Sequence, residues 1–320
     1  MSQSTMAAGP VSAQPTGNYQ ASRRELGQRA HVSLWNSIRS EYVKLMSLKS
    51  TWILLIINFL LLPGGAALSA LSMKLIYTID PRTDKALAQT RNMPSALVWQ
   101  SVTAFVTIST IVVGILGVMS ITTEFTSDSI DSSLTANPHR GMMVGAKAIV
   151  VAALTWASTQ LAIFVSWGVV RMVIGSIPVD PLQHGEGALL WVSLFGPALV
   201  SACFAVLSVG LGALCRSTVG AVFALIGIDM FLPEIVILLS NIGHYFTWTR
   251  TLGRLMPSQL VDTFITAGVN LNDALGMPSG ESVATQGFDP SWWQAGLIFL
   301  VWVAAFYIIG AIMMDRRDIK

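Results

Sequence analysis

Charge is scarce in this 320-residue chain: only 11% of residues are charged, against 53% hydrophobic, and mean hydropathy is +0.62. Soluble domains carry roughly a quarter charged residues, so a water-soluble globular fold is excluded. The net charge of +2 leaves no basic field that would recognise nucleic acid. There are only two cysteines, Cys203 and Cys215. Twelve helical residues would hold them ~18 Å apart, too far for a disulfide, so they read as small membrane-buried side chains. The four histidines (His31, His139, His184 and His244) show no ligand spacing, so no metal site is expected. No early apolar core marks a signal peptide. Residues 1–32, rich in Ser, Gln, Gly and Ala, read as a disordered tail.

Long apolar runs are what the chain does have. Six reach the ~20 residues needed to cross ~30 Å of hydrocarbon as helix: 51–73, 97–119, 148–172, 188–214, 218–240 and 292–314. The expected fold is an all-α integral membrane protein. The first run contains Asn58 and Pro63-Gly64-Gly65, which predict a bend or local opening. Small residues in the second, including Gly114 and Gly117, suit close helix packing. Ala153 and Ala157 offer the same at small-xxx-small spacing in the third.

Ahead of the first run, residues 33–49 form an amphipathic pattern. Leu34, Trp35, Ile38, Tyr42, Leu45, Met46 and Leu48 gather on one arc, and Glu41 intrudes at its edge. Too polar to span, this helix suits the membrane interface, with a solvated helix packed on a partner as the other reading. Six spans put both ends on one side. Twelve of the nineteen Lys and Arg residues fall on that side, which favours cytoplasmic termini. Residues 122–147 then form a cytoplasmic loop and 241–289 a long outer one, with a helical patch at 258–267.

Two places could carry chemistry. Asp229 and Glu234 lie in the fifth run with Pro233 between them. Acids inside a span normally face a bundle interior or a wet cavity. On a straight helix they stand ~140° apart, so they form a dyad only if Pro233 bends it. Solvation of Glu234 at the outer mouth, or backbone opened at the kink, would satisfy them equally well. In the 122–147 loop, Ser127 and Asp128 can cap a short helix with Ile130 and Leu134 on one face, closed by Pro138. By pattern alone this is either a solvated connection or a surface that another protein grips. Gly141 through Ala148 fails as a phosphate-binding loop in both glycine spacing and final hydroxyl, and no GxSxG occurs. No enzymatic activity is expected of the chain itself.

Four segments resemble the permease subunit of ABC exporters of the ABC-2 type, especially those of Gram-positive actinobacteria. Arg39-Ser40-Glu41-Tyr42-Val43-Lys44-Leu45 through Ser50-Thr51-Trp52 is similar to the family's RSEWxKLxSxxSTW start. Thr122-Thr123-Glu124-Phe125, then Ser129-Ile130 and Pro138-His139-Arg140, resembles its TxEYxxGTI…TPxR loop, with Lys147 at the following basic position. Leu255-Met256-Pro257-Ser258 and Arg316-Arg317-Asp318 resemble two shorter motifs. The chain departs at Ser127-Asp128-Ser129, where many relatives carry a basic residue and Gly-Thr.

The resemblance covers about residues 33–320 and implies a type V exporter-like fold. An elbow helix would lie on the inner leaflet, and short re-entrant helices would cap the outer side. Residues 124–134 would include a coupling helix that docks on a separate ATP-binding cassette subunit through Glu124, Phe125, Ser129, Ile130 and Leu134. Mg-ATP would belong to that partner, with no cofactor in this chain. Two permease chains, identical or different, would pair in the bacterial plasma membrane to export an amphipathic drug, peptide or lipid. Asn58, Asp229 and Glu234 would be intramembrane polar groups or line the substrate path. The alternatives are an ion-coupled transporter or channel using Asp229 and Glu234, and a non-transporting immunity or sensor subunit.

Overall fold

A computed structural model describes residues 34–80, 85–86, 92–126, 140–175, 177–182, 187–241, 247–269 and 288–316. Among these the chain is all-helical apart from a two-residue strand pair, β1 (Ile79–Asp80) with β2 (Lys85–Ala86). Six helices are long and apolar enough to span a membrane: Lys49–Thr78, Ser95–Phe125, Gly141–Ile174, Gly187–Cys215, Thr218–Leu239 and Trp292–Met314. They are called spans one to six below, and they support a multi-pass membrane protein.

Helix α1 (Leu34–Ser47) precedes span one and ends at Leu48, whose extended backbone starts span one as α2 (Lys49–Thr78). α1 exposes Leu34, Trp35, Tyr42 and Val43 while burying Glu41 and Leu45. An aromatic-rich face turned outward beside a charged side chain turned inward reverses the arrangement of a water-soluble helix. α2 keeps helical backbone through Pro63-Gly64-Gly65, so the chain is not opened there. Gly65 is needed for packing: a Cβ there would overlap the Phe105 ring.

Span two consists of α3 (Ser95–Thr103) and α4 (Val106–Thr126), joined by a turn at Ala104-Phe105. The Thr103 hydroxyl bonds back to the Trp99 and Gln100 carbonyls beside this turn, a contact that bends helices. Span three is α5 (Arg140–Ile174), span four α6 (Gly187–Cys215) and span six α11 (Trp292–Arg316). Span five begins as α7 (Thr218–Ile226), widens into a π-turn at Gly227–Phe231 and continues as α8 (Leu232–Asn241). Two short helices, α9 (Thr247–Arg254) and α10 (Pro257–Ile265), lie between spans five and six. The helical patch expected at 258–267 corresponds to α10.

Span four is the central helix. Two-thirds of its apolar window (67%) is buried, against 22% for spans five and six. Its contacts are close because glycines meet backbone. A Cβ on Gly117 would stand 2.7 Å from the Ala205 carbonyl, and one on Gly210 2.5 Å from the Phe306 carbonyl. Gly310 of span six sits against Gly210 at the same crossing. Such approaches provide dispersion contact where lipid removes the usual hydrophobic drive. Ala153 and Ala157 of span three are both exposed, so they form no buried seam among the described residues. Cys215 is also exposed, because it is the last residue of α6; Cys203 is half-buried.

On the face opposite α1, the segment before span two pairs with the one after span three. Met93 N–H donates to the Pro178 carbonyl at 2.9 Å, Asp180 N–H to the Met93 carbonyl at 2.9 Å, and the Asn92 amide to the Asp180 carboxylate at 2.8 Å. Lys74 caps the end of span three through the Val173 carbonyl at 2.8 Å.

Candidate functional site

At the α1 face, four charged side chains from three helices meet. Glu41 and Lys44 stand one turn apart on α1, Glu124 lies in the last turn of α4, and Lys147 is two turns into α5. Lys147 Nζ donates to Glu41 Oε2 at 2.6 Å and to Glu124 Oε1 at 2.9 Å. Lys44 Nζ donates to the same Glu124 oxygen at 2.6 Å and to Glu41 Oε1 at 3.3 Å. The set is neutral, with two cations and two anions in alternating contact.

Burial makes the cluster consequential. Lys147 is 1% exposed and Glu41 and Glu124 are each 5% exposed, whereas the Lys44 side chain is about half accessible, at 46%. A lone buried charge would cost several kcal/mol, so these residues can only be buried together. Half-burial alone would lower the Lys44 pKa. The Glu124 hydrogen bond and the negative charges of Glu41 and Glu124 outweigh it, holding the ammonium above its ordinary value. One acceptor is unused: Glu124 Oε2 is buried without a partner.

The cluster also accounts for a boundary difference. Residues 122–147 read as one polar loop, yet α4 continues to Thr126 and α5 starts at Arg140. Glu124 and Lys147 remain in the span helices because each neutralises the other. Glu124 and Phe125 therefore belong to the end of span two and not to a separate short helix. Ser129, Ile130 and Leu134, with the rest of 127–139, lie outside the described residues.

The other side of this helix end is held by the turn between spans four and five. The Arg216 guanidinium lies 5.6 Å above the Phe125 ring, and Thr218 Oγ1 donates to Thr122 Oγ1 at 2.8 Å. Arg216 adopts a left-handed backbone, φ 53°, and Ser217 caps α7 by accepting from Gly220 N–H. The end of span two thus touches α1, span three and the four–five turn at once. No local sequence signal pairs Arg216 with Phe125, 91 positions earlier.

The three intramembrane polar residues occupy different surroundings. Asn58 is 1% exposed and is used up in packing: its amide donates to Thr159 Oγ1 at 3.1 Å and Ser158 Oγ at 3.5 Å. Its carbonyl accepts from Ser109 Oγ at 2.5 Å, so one side chain ties spans one, two and three. Asp229 sits in the π-turn, where Leu232 N–H reaches back to the Gly227 carbonyl. Pro233, which has no N–H, follows directly, and the wider turn accommodates it. Asp229 Oδ2 accepts from Thr110 Oγ1 at 3.3 Å. Its Oδ1, buried without a partner, belongs to a residue lining an enclosed space of about 10 Å3 beside Phe204, Leu211 and Pro257. Glu234 is exposed. One acid is enclosed and the other faces outward, so the π-turn does not bring them together as a dyad.

No family model matches the chain, and no curated protein sequence matches it.

Proposed function

We propose that this chain is the membrane subunit of an ATP-driven exporter whose energy comes from a separate ATP-binding cassette subunit. The observation that carries the reading is the charge cluster at the mouth of the 127–139 segment. Glu124 closes the helix before that segment and Lys147 lies two turns into the helix after it, and both are clamped to α1. A push on residues 127–139 would reach spans two and three and α1 as one body, and through Phe125 and Arg216 the turn into span five. In this reading residues 124–134 include the segment that docks on the ATPase, Mg-ATP is bound by that partner, and two permease chains pair in a bacterial plasma membrane. The Lys and Arg bias favours cytoplasmic termini. The outward aromatics of α1 support an interfacial elbow. The absence of a phosphate-binding loop in the sequence is the reason to look for the ATPase outside this chain.

Affinity isolation of the tagged chain from its native membrane tests the proposal. The expected result is stoichiometric recovery of a lone ATP-binding cassette protein, and ATP-dependent flux when the two are reconstituted. Recovery of the chain without any such protein contradicts it. The unpartnered Asp229 oxygen favours a second reading, ion-coupled transport through span five. Flux driven by a proton gradient in vesicles holding this chain alone, lost in Asp229→Asn, would select it.

A further inference from the structure

A cavity of about 870 Å3, within the range of small-molecule sites, opens on the face opposite α1. It lies between the ends of spans one, two and six and the short helix α10. Its walls are mixed: Gln259, Asp262 and Thr263 line it from α10, Thr266 from the residue that ends α10, and Gln100 and Ser101 from span two, beside apolar Met73, Leu97 and Trp292. Spacings of three and four residues put these α10 positions on one helix face.

The charge in this cavity is one-sided. Two acids line it and no lysine or arginine does among the described residues. Asp289 is paired outside the lining set, with Arg254 at 3.1 Å. Asp262 has no cationic partner among the described residues; its Oδ1 accepts only from Thr107 Oγ1 at 3.1 Å. Gln100 adds a second open acceptor: its amide donates to the Val269 carbonyl at 3.1 Å, leaving a buried Oε1 with no partner.

A second, apolar groove of about 310 Å3 adjoins it, lined by Leu199, Cys203, Leu297 and Leu300 of spans four and six. The two spaces share Trp292, and Phe264 of α10 faces the groove with its ring 6.3 Å from that of Trp292. α10 is therefore a partition, with Asp262 on the polar side and Phe264 on the apolar side.

We propose that this pair of spaces binds a single-chain cationic amphiphile, its alkylammonium head near Asp262 and Gln100 and its tail in the groove beside Trp292 and Leu297. Asp262 attracts a cationic head electrostatically, the unpartnered Gln100 oxygen adds partial negative charge, and the groove offers an alkyl tail close dispersion contact. As a substrate site this rests on the exporter reading; as a binding site it does not.

Equilibrium dialysis of the full chain in lipid nanodiscs, with empty discs subtracted, tests it using dodecyltrimethylammonium, tetramethylammonium and laurate. Dodecyltrimethylammonium is expected to bind at least about tenfold more tightly than either other probe. Asp262→Asn, which keeps a partner for Thr107, should weaken it about tenfold. Leu297→Trp should weaken the amphiphile by filling the groove, while Gly168→Ala, with nothing within 4 Å, changes nothing. Equal binding of laurate, tetramethylammonium matching the amphiphile, or an unaltered Asp262→Asn variant would each overturn the proposal. Because binding is read on the lone chain, its failure is distinguishable from failure to recruit an ATPase.

Discussion

Replacing Lys147 by methionine keeps most of the side-chain volume and removes one charge from the centre of the cluster. Each Lys147 contact, at 2.6 and 2.9 Å, represents about 6 kcal/mol of gross attraction at an effective dielectric of about 20. Desolvation of the buried ions offsets most of that, so the intact cluster contributes little net stability. Its loss is a different matter. Glu41 and Glu124 would stay buried with only the half-exposed Lys44 between them, which costs about 3–5 kcal/mol. Lys44→Met removes a cation that water can partly replace, and should cost no more than about 1 kcal/mol. Adding Glu124→Gln to Lys147→Met removes the uncompensated anion and should recover about 1.5 kcal/mol or more. Unfolding free energies from SDS titration in mixed micelles read Lys147→Met, Lys44→Met, Glu124→Gln alone and the double variant. Equal costs for Lys147→Met and Lys44→Met, or additive costs in the double variant, would refute the cluster as a coupled unit.

Other consequences are simpler to read. Gly310→Leu should prevent spans four and six from closing at Gly210 and abolish a monodisperse protein, whereas Gly168→Ala, with nothing within 4 Å, should be neutral or slightly stabilising by size-exclusion and melting. Asn58→Leu should destabilise by about 1–2 kcal/mol in the same SDS titration, because it removes bonds to two neighbouring spans. Because the Lys44 pKa is raised, its stabilising contribution is complete below the unfolded value and disappears as pH rises through the folded one. Melting temperature should therefore decline above pH 10.5 in the wild type, with a smaller decline in Lys44→Met.

The spans were legible because apolar runs of membrane length have few other uses, and their centres coincide with the helices. Their ends were not, because Thr122–Thr126 is mostly polar and Arg140 and Lys147 put charge at both ends of the first turns of span three, and the pairing that neutralises Glu124 and Lys147 is tertiary. Glu41 was the one local clue to the charge cluster: an acid on an apolar arc needs a partner, and although Lys44 stands three positions away, the buried one, Lys147, lies 106 positions away. Pro233 signalled irregular helix, and the π-turn met that signal by widening, with Asp229 turned inward and Glu234 out. The Gly210–Gly310 crossing had no signature, since glycines are common and only a three-dimensional approach distinguishes these two. The cavity beside α10 was equally hidden: Asp262 lay in a patch read only as helical, and Gln100 and Trp292, which line it too, come from spans two and six.

The central claim is that residues 127–139 take up force from an ATP-hydrolysing partner and pass it to the clamped ends of spans two and three. The most direct measurement is recovery of the ATP-binding cassette protein with an Ile130→Asp, Leu134→Asp double variant. Loss of the partner, with membrane insertion of the permease chain unchanged, is the predicted result; normal co-purification would contradict it.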